Sequence, residues 1–290
     1  VIGKPLQYDD TQEVMQEIAK GDFVRTDWNP YMLMSYFPPA PGAVPSPVGD
    51  KMIYRCTLDG EEALLKFFPK AVIDVKNPGT NRRILRMRKR IEKSIKDELP
   101  LPALLAHGMF GGGNGLFIVT RFEEGIVWPE YVAGLTSLQQ KLEAASALCN
   151  LLEGLHGRDF AHGDLHPGNI LVRPSEEGEP LNLILIDALD YGDTSDPYNV
   201  EYGPTDPSTT DSFGRDGYAL YKIAQELFGD EAPKALSIEF ALRTEQPNGV
   251  PVSIEPLGET ISAELEACRK PAIVQAPALR FIADSFKFPI

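Results

Sequence analysis

The sequence has little cysteine, no excess of basic residues and no long apolar run, and each shortage excludes a class of protein. Its three cysteines, Cys56, Cys149 and Cys268, are far apart and form no Cys-x-x-Cys pair. This arrangement excludes a disulfide framework and a cysteine-based zinc site, and we expect reduced thiols in a cytoplasmic protein. No apolar run approaches the roughly 20 residues of a membrane helix, and no signal peptide is recognisable.

Negative charge dominates the sequence. The 28 lysines and arginines are outnumbered by 42 aspartates and glutamates, which gives a net charge of −14. Such a chain repels the phosphates of nucleic acids and anionic lipids, so we expect neither a nucleic acid nor a membrane as a partner. A phosphate-rich ligand would need a local group of cations or a bound metal ion.

Length and composition indicate an ordinary globular protein. Hydrophobic residues make up 43% and charged residues 24% of the 290 residues, which is enough for a sizeable core in one or two domains. Because the sequence begins at Val1 and not at a methionine, we expect it to be part of a longer chain that has further domains.

The first half of the sequence has the pattern of a small antiparallel sheet with one helix. Asp59-Gly60 is a strong signal for a tight hairpin turn between two apolar runs. Four strands are predicted, at 51–57, 62–68, 103–107 and 116–122. Residues 81–98 carry apolar residues every three or four positions, which predicts a helix with a very basic face. Five prolines within residues 38–47 exclude helix and sheet interiors there and predict a loop or an extended polyproline segment.

The pattern changes after Gly125, where helical spacing becomes dominant. Apolar stripes predict two core helices, at 137–156 and 217–228. Two short apolar runs lie between them and predict a hairpin of strands at 170–172 and 181–186. A sheet followed by helices predicts an α+β fold, whereas the sequence leaves the fold after Phe228 open.

The residues with the clearest chemistry surround this hairpin. Residues 162–172 read HGDLHPGNILV, and Asp187 directly follows the second apolar run. The oxygen atoms of Asp164, Asn169 and Asp187 are therefore expected near the mouth of one hairpin. Such ligands suit Mg²⁺, which is usually held by one or two carboxylates together with substrate phosphates. A carboxylate beside such a site can take the proton of an attacking hydroxyl group.

The string His162-x-Asp164-Leu-x-Pro-x-Asn169, followed by a strand pair and Asp187, resembles the catalytic segment of the protein-kinase-like superfamily. The resemblance implies a two-lobed α+β fold, with an antiparallel sheet and one helix in the N-terminal lobe and mainly helices in the C-terminal lobe. The implied divisions are an N-terminal extension at 1–30, a nucleotide-binding lobe at 31–125 and a catalytic lobe at 126–290, of which 229–290 is atypical.

The resemblance also implies ATP and Mg²⁺ as cofactors and a role for each central residue. Asp164 would accept the proton of the substrate hydroxyl, and Asn169 and Asp187 would hold Mg²⁺. Lys66, which lies within an apolar strand, would bind the α- and β-phosphates of ATP. Glu92, on the following helix, would orient Lys66.

Other residues match the family at the edges of the site. Thr120 stands at the gatekeeper position, and the backbones of Arg121 and Glu123 would bind the edge of the adenine. His166 replaces a lysine that contacts the transferred phosphate. Asp216 matches the aspartate that braces the catalytic loop.

The sequence departs from the family pattern in three places. The proline-rich stretch 38–47 stands where a GxGxxG loop is expected, and proline lacks the N–H group that cradles phosphate. Gly163 replaces the arginine before the catalytic aspartate, so no phosphorylation switch through that arginine is expected. The metal-binding aspartate has two candidates, Asp187 in Asp187-Ala-Leu and Asp190 in Asp190-Tyr-Gly. Asp187 is favoured because it ends the apolar strand directly.

Three functions are consistent with these motifs. The first is an ATP-dependent serine/threonine protein kinase with a protein substrate, because Glu201-Tyr202-x-Pro204 and the helix start at Asp216 resemble parts of protein kinases. The second is a small-molecule phosphotransferase of the aminoglycoside or choline kinase type, which shares the HGDLHPGN string. The third is a pseudokinase that serves as a binding module, which the altered glycine loop favours.

Overall fold

The computed structural model describes the chain in several ranges, and the fold is drawn from these alone. The described residues are 40–42, 46–48, 51–58, 60–68, 78–110, 115–173, 179–189, 199–204, 211–244 and 253–269. The predicted N-terminal extension, most of the proline-rich stretch and Asp190 lie outside them.

Five strands form an antiparallel sheet in the order β1-β2-β3-β5-β4. They are β1 (Ser46–Val48), β2 (Lys51–Leu58), β3 (Glu61–Phe68), β4 (Leu104–Phe110) and β5 (Gly115–Arg121). The four predicted strands are confirmed to within three residues at each end. Gly60 forms the predicted turn with a φ of 87°, a left-handed conformation that glycine adopts at no steric cost.

The predicted loop across residues 38–47 is wrong at its end, because Ser46 and Pro47 belong to β1. This strand pairs with β2 in antiparallel register, with Val48 opposite Lys51. β1 is the outermost strand of the sheet, and an edge strand tolerates proline because one of its sides needs no N–H donor.

The side chains of β3 alternate between two apolar clusters, as expected for a strand. Leu65 and Phe67 pack with β2 and β5 residues in a small cluster. Phe68 points to the opposite face and joins the main core together with the apolar side of α1 (Pro78–Lys96). The same alternation puts Lys66 on the face of Phe68, toward the second half of the chain.

The second half is mainly helical, as predicted. Its described helices are α2 (Trp128–Val132), α3 (Leu138–His156), α4 (Ser212–Phe228), α5 (Lys234–Thr244) and α6 (Glu255–Arg269). α3 begins at a capping box formed by Ser137 and Gln140. α4 begins before the predicted residue 217 because the Asp211 carboxylate accepts a hydrogen bond from the amide of Gly214 at 2.8 Å and caps the helix.

The C-terminal part, which the sequence left open, contributes α5 and α6 to the same core. Leu257, Ile261 and Leu265 of α6 are buried at a spacing of four residues, and this stripe packs against α3. The spacing of one helical turn explains why these residues face a single neighbour.

A second, three-stranded antiparallel sheet carries the predicted hairpin in the order β6-β7-β8. Its strands are β6 (Ile126–Val127), β7 (Ile170–Arg173) and β8 (Asn182–Leu185). Ile170 pairs with Leu185, so the start of β7 lies beside the end of β8. The register therefore brings Asn169 and Asp187, which flank these strand ends, to the same edge.

The structure also bears on membrane-spanning helices and on the three cysteines. No helix within the described ranges is long and apolar enough to cross a membrane. Cys56 and Cys149 are buried free thiols, and Cys268 is an exposed one. Burial raises the pKa of both buried thiols to about 12, so they stay protonated at neutral pH.

Candidate active site

The loop that carries Asp164 is fixed from below by a buried carboxylate. Asp216 of α4 is fully buried, and it accepts hydrogen bonds from the amides of His162 at 2.6 Å and Gly163 at 2.8 Å. His156 of α3 lies 3.0 Å from the same carboxylate through its Nε2. Hydrogen bonds to an ionised acceptor are about twice as strong as neutral ones, so Asp216 holds the backbone of this loop in place.

His162 supports the same loop from the side of the β7–β8 hairpin. Its Nδ1 accepts a hydrogen bond from the amide of Asp164 at 3.3 Å, so its proton lies on Nε2, which donates to the carbonyl oxygen of Ile186 at 2.8 Å. Burial lowers the pKa of His162 and outweighs the opposing charge of Asp216. The imidazole is therefore neutral, and its role in this structure is to connect two backbone segments.

Backbone geometry explains one departure from the family pattern. Gly163 has a φ of 87°, which lies in the left-handed region. An arginine, as the family has at this position, would be strained in that conformation. The turn directs Asp164 toward residues 199–204, where its Oδ1 accepts a hydrogen bond from the amide of Asn199 at 2.6 Å.

A short 3-10 turn at Pro167–Asn169 follows and is capped by His166. The Nδ1 of His166 accepts a hydrogen bond from the amide of Gly168 at 3.1 Å. A Cβ atom on Gly168 would lie 2.9 Å from Cε1 of His166, so a larger residue there would displace the imidazole from its capping position. Because Nδ1 is engaged, only Nε2 of His166 can contact a phosphate, and that predicted contact stays a prediction.

The two predicted metal ligands lie at adjoining strand ends. Asn169 donates through Nδ2 to the carbonyl oxygen of Asp164 at 3.0 Å, which leaves Oδ1 as its candidate ligand atom. The amide of Ile186 donates to the carbonyl oxygen of Asn169 at 3.0 Å. Asp187 follows with a φ of 65°, a left-handed conformation that is uncommon outside glycine. Such backbone strain is concentrated at functional sites.

This donor set fits Mg²⁺ held in an open site. One carboxylate and one amide oxygen are hard oxygen ligands, and substrate phosphates complete such sites. Within the described ranges, no group of three or more His, Cys, Asp and Glu side chains is arranged to hold a metal ion. Asn169 and Asp187 therefore offer part of a coordination shell, and the described residues form no closed cage.

Two buried lysines contact the carboxylate of Asp187. Lys66 of β3 bonds to Oδ1, and Lys51, the first residue of β2, bonds to Oδ2 at 2.9 Å. Both lysines are only 5% exposed. Burial by itself raises the pKa of Asp187, but the two ammonium groups outweigh it and hold that pKa well below its usual range.

The sequence analysis missed Lys51, although the sequence contains a signal for it. The turn at Asp59-Gly60 sets the register of β2 against β3, in which Ile53 lies opposite Lys66. Residue 51 is two positions before residue 53, so it is on the same face of the sheet. A register argument from the predicted hairpin would have placed Lys51 beside Lys66.

Helix α1 directs an arginine to the catalytic loop. The Nη2 of Arg90 donates to the carbonyl oxygen of Ala161 at 2.7 Å, and its Nε donates to that of Ala188 at 3.0 Å. Its guanidinium group lies 4.0 Å over the ring of Phe160. Glu92, two residues later, has an exposed side chain. Lys66 contacts Asp187, and the pairing of Lys66 with Glu92 stays a prediction.

A cleft between the two sheets runs from Lys66 and Asp187 to the predicted adenine end. Thr120 is buried and lines the cleft with Arg121 and Glu123. The amide of Arg121 donates to the carbonyl oxygen of Ala103 at 2.8 Å, so only its own carbonyl can serve a ligand. The carboxylate of Glu123 bonds to Arg173 of β7. This bond involves the side chain of Glu123 and not its backbone, which is the part predicted to bind the adenine edge. The cleft walls are apolar and include Leu64, Ile118, Leu171 and Ile186.

Comparison with known proteins bears on this arrangement. No protein-family model matches the sequence, and no curated protein does. Among solved structures, vaccinia related kinase 3 matches with a TM-score of 0.50 at 14% sequence identity. The match covers 78% of this chain and 86% of that one.

The fold is protein-kinase-like. The antiparallel sheet with α1 forms the N-terminal lobe, and the helices α2 to α6 with the small sheet form the C-terminal lobe. The predicted two-lobed α+β class is confirmed. At this level of identity the likeness concerns the kinase-like fold alone, and the chemistry has to be argued from the residues of the cleft.

Proposed function

We propose that the protein transfers the γ-phosphoryl group of ATP to a hydroxyl group, with serine or threonine of a protein as the acceptor. One observation carries the proposal: hydrogen bonds through backbone and side-chain atoms connect Asp164, Asn169 and Asp187 in series to Lys66. Asn169 bonds to the backbone of Asp164, its own carbonyl bonds to Ile186, and the next residue, Asp187, bonds to Lys66.

Each of these residues has a chemical task in that reaction. The hydroxyl oxygen forms a bond to the γ-phosphorus, the bond from phosphorus to the β-phosphate oxygen breaks, and ADP leaves with that electron pair. The hydroxyl proton passes to the carboxylate of Asp164. Lys66 binds phosphate oxygens as a cation. Mg²⁺, when held by Asp187 and Asn169, offsets the negative charge of the phosphates.

The segment at residues 199–204 favours a protein substrate. Its first residue, Asn199, bonds to the Asp164 carboxylate. The hydroxyl group of Tyr202 donates to Glu226 of α4 at 2.8 Å, and the Tyr202 ring lies 6.4 Å from that of His166. The segment is therefore attached both to the catalytic loop and to the core, where it can support an extended peptide beside Asp164.

A second candidate is a nucleotide-binding module without transfer. The observation that favours it is the pair of lysines on Asp187, since their two ion pairs compete with a metal ion for the oxygen atoms of that carboxylate. The two candidates differ in turnover and not in nucleotide binding.

The deciding experiment is phosphopeptide mass spectrometry after incubation with Mg²⁺ and ATP and a degenerate peptide mixture that contains Ser and Thr. We expect phosphate on peptide or protein, and a rate about 10²- to 10⁴-fold lower in Asp164→Asn. Asp159→Asn is the matched control, because Asp159 is an exposed aspartate five residues earlier with a φ of 53° that asparagine tolerates.

The possible results separate the candidate functions. Transfer by Asp164→Asn at the parent rate would contradict the proposal. Phosphate on added amino-alcohols or sugars, with none on peptide, would indicate the small-molecule enzyme. Bound nucleotide without any transfer would indicate the binding module.

A further inference from the structure

The sequence of residues 38–58, which includes β1 and β2, contains no GxGxxG pattern. In protein kinases such a loop covers the phosphates and supplies backbone amides to them. Strand β2 begins at Lys51, which pairs with Val48 of β1. We therefore expect another group to bind the phosphates from this side of the cleft.

Lys51 is a second cation at the predicted phosphate end of the cleft. Its ammonium nitrogen lies 2.9 Å from Oδ2 of Asp187, and Lys66 contacts the other oxygen of the same carboxylate. Two cations therefore converge on the predicted metal ligand. Burying an ammonium group is costly unless an anion is close, and Asp187 is such an anion for Lys51, which is only 5% exposed.

The register of the sheet makes the placement of Lys51 specific. Met52 lies opposite Phe67 and Ile53 opposite Lys66, so Lys51 shares the cleft-facing side with Lys66 on the neighbouring strand. Strands in a sheet lie about 4.8 Å apart, a separation that two neighbouring phosphate groups of one nucleotide can bridge. A lysine is a flexible point charge that can follow such a ligand.

We propose that Lys51 is a second phosphate-binding residue, which contacts the phosphate chain of the bound nucleotide together with Lys66 and replaces the glycine-rich loop. The inference rests on the proposed use of this cleft for ATP. Both ammonium groups contact the carboxylate that is the predicted metal ligand, so phosphates that share the metal ion with Asp187 would lie within reach of both lysines.

Nucleotide affinity measured by calorimetry tests the inference without depending on turnover. The parent and Lys51→Met are titrated with ATP and with adenosine, each with Mg²⁺ and with EDTA. We expect Lys51→Met to bind ATP about tenfold more weakly in both conditions, as for the loss of one charge-assisted hydrogen bond. Adenosine affinity should not change, because adenosine has no phosphate.

Matched variants separate phosphate binding from a general effect of charge or folding. Lys96→Met removes a lysine that is exposed at the end of α1, and we expect it to bind ATP as the parent does. Lys51→Arg keeps the charge and should recover most of the ATP affinity. Lys51→Gln supplies a second neutral side chain, and the unfolding midpoint of every variant is measured first.

Several results would overturn the inference. One is an unchanged ATP affinity in both folded neutral variants, and another is an equal loss for ATP and adenosine, which indicates a structural role.

A parent that transfers phosphate while Lys51→Met keeps its ATP affinity would refute this inference alone. A parent that binds ATP and transfers none would refute the proposed reaction alone, provided that Lys51→Met still loses affinity for ATP. A parent that binds no ATP would refute both.

Discussion

The two sides of the cleft were assembled in different ways. On the C-terminal side, Asp164 and Asn169 lie five residues apart on one loop, and buried Asp216 fixes that loop through two backbone amides. On the N-terminal side, the cations come from separate strands, Lys51 and Lys66, and meet only through the register of the sheet.

The difference indicates which part of such a site other residues can supply. The C-terminal side depends on a left-handed backbone at two positions, Gly163 with a φ of 87°, which glycine adopts readily, and Asp187 with a φ of 65°, which is strained, so few sequences can form it. Binding phosphate requires only cations or N–H donors at a suitable distance, and any strand that faces the cleft can supply them. We therefore expect changes on the C-terminal side to affect folding and chemistry, and changes on the N-terminal side to affect nucleotide binding.

The largest effect is expected from Asp216→Ala. The change leaves the amides of His162 and Gly163 buried without their acceptor, and each unsatisfied buried group costs about 1–3 kcal/mol. We expect the free energy of unfolding in urea to fall by about 3 kcal/mol or more. Asp230→Ala, at an exposed position, should change it by less than about 0.5 kcal/mol. A loss below about 1 kcal/mol in Asp216→Ala would show that the loop is held by other contacts.

A smaller effect is expected from Arg90→Met, which cuts the connection between the two sides. Arg90 of α1 donates to the carbonyl oxygens of Ala161 and Ala188, and methionine keeps much of the packing without the hydrogen bonds. We expect a loss of about 2 kcal/mol in unfolding free energy. We also expect a lower transfer rate at saturating ATP, because Ala161 and Ala188 are close neighbours of the catalytic loop and of Asp187.

Lys89→Met is the control for this change, since Lys89 is the preceding residue of α1 and is exposed. It should leave both the stability and the rate as they are in the parent. An Arg90→Met protein with the stability and rate of the parent would mean that α1 is held to the C-terminal lobe by its apolar face alone.

The sequence reveals the different parts of the candidate site to different degrees. The motif around Asp164 and Asn169 was recognisable because its residues are adjacent in sequence, and the α+β class followed from patterns that match the period of each element. The positions of Lys51 and Arg90 depend on sheet register and on the rotation of α1, and both are set by tertiary packing. The alternation of β2 could have revealed Lys51, whereas no local pattern distinguishes Arg90 from the other basic residues of α1.

The smallest effect is expected in the pH dependence of stability, through His162. Its pKa in the folded protein is lowered by burial below the ordinary value of 6.5, so the unfolded chain binds a proton first as the pH falls. Above that ordinary pKa the residue contributes no pH dependence, and below it the contribution destabilises the fold. Between pH 7.5 and 5.5, we expect the parent to lose stability through this residue.

The difference between the parent and His162→Gln isolates this effect in urea titrations at the two pH values. Glutamine does not titrate, so His162→Gln should lose less stability than the parent over the same interval. Equal losses in both proteins would show that His162 takes up its proton as readily in the folded state as in the unfolded state.

The most direct test of the contrast between the two sides is single-turnover phosphoryl transfer at saturating Mg²⁺ and ATP in the parent, Asp164→Asn and Lys51→Met. We predict that Asp164→Asn transfers about 10²- to 10⁴-fold more slowly even when nucleotide is saturating, because the proton acceptor is lost. Lys51→Met should approach the parent rate once more ATP is supplied. Transfer at the parent rate by Asp164→Asn would contradict the assignment of chemistry to the C-terminal side of the cleft.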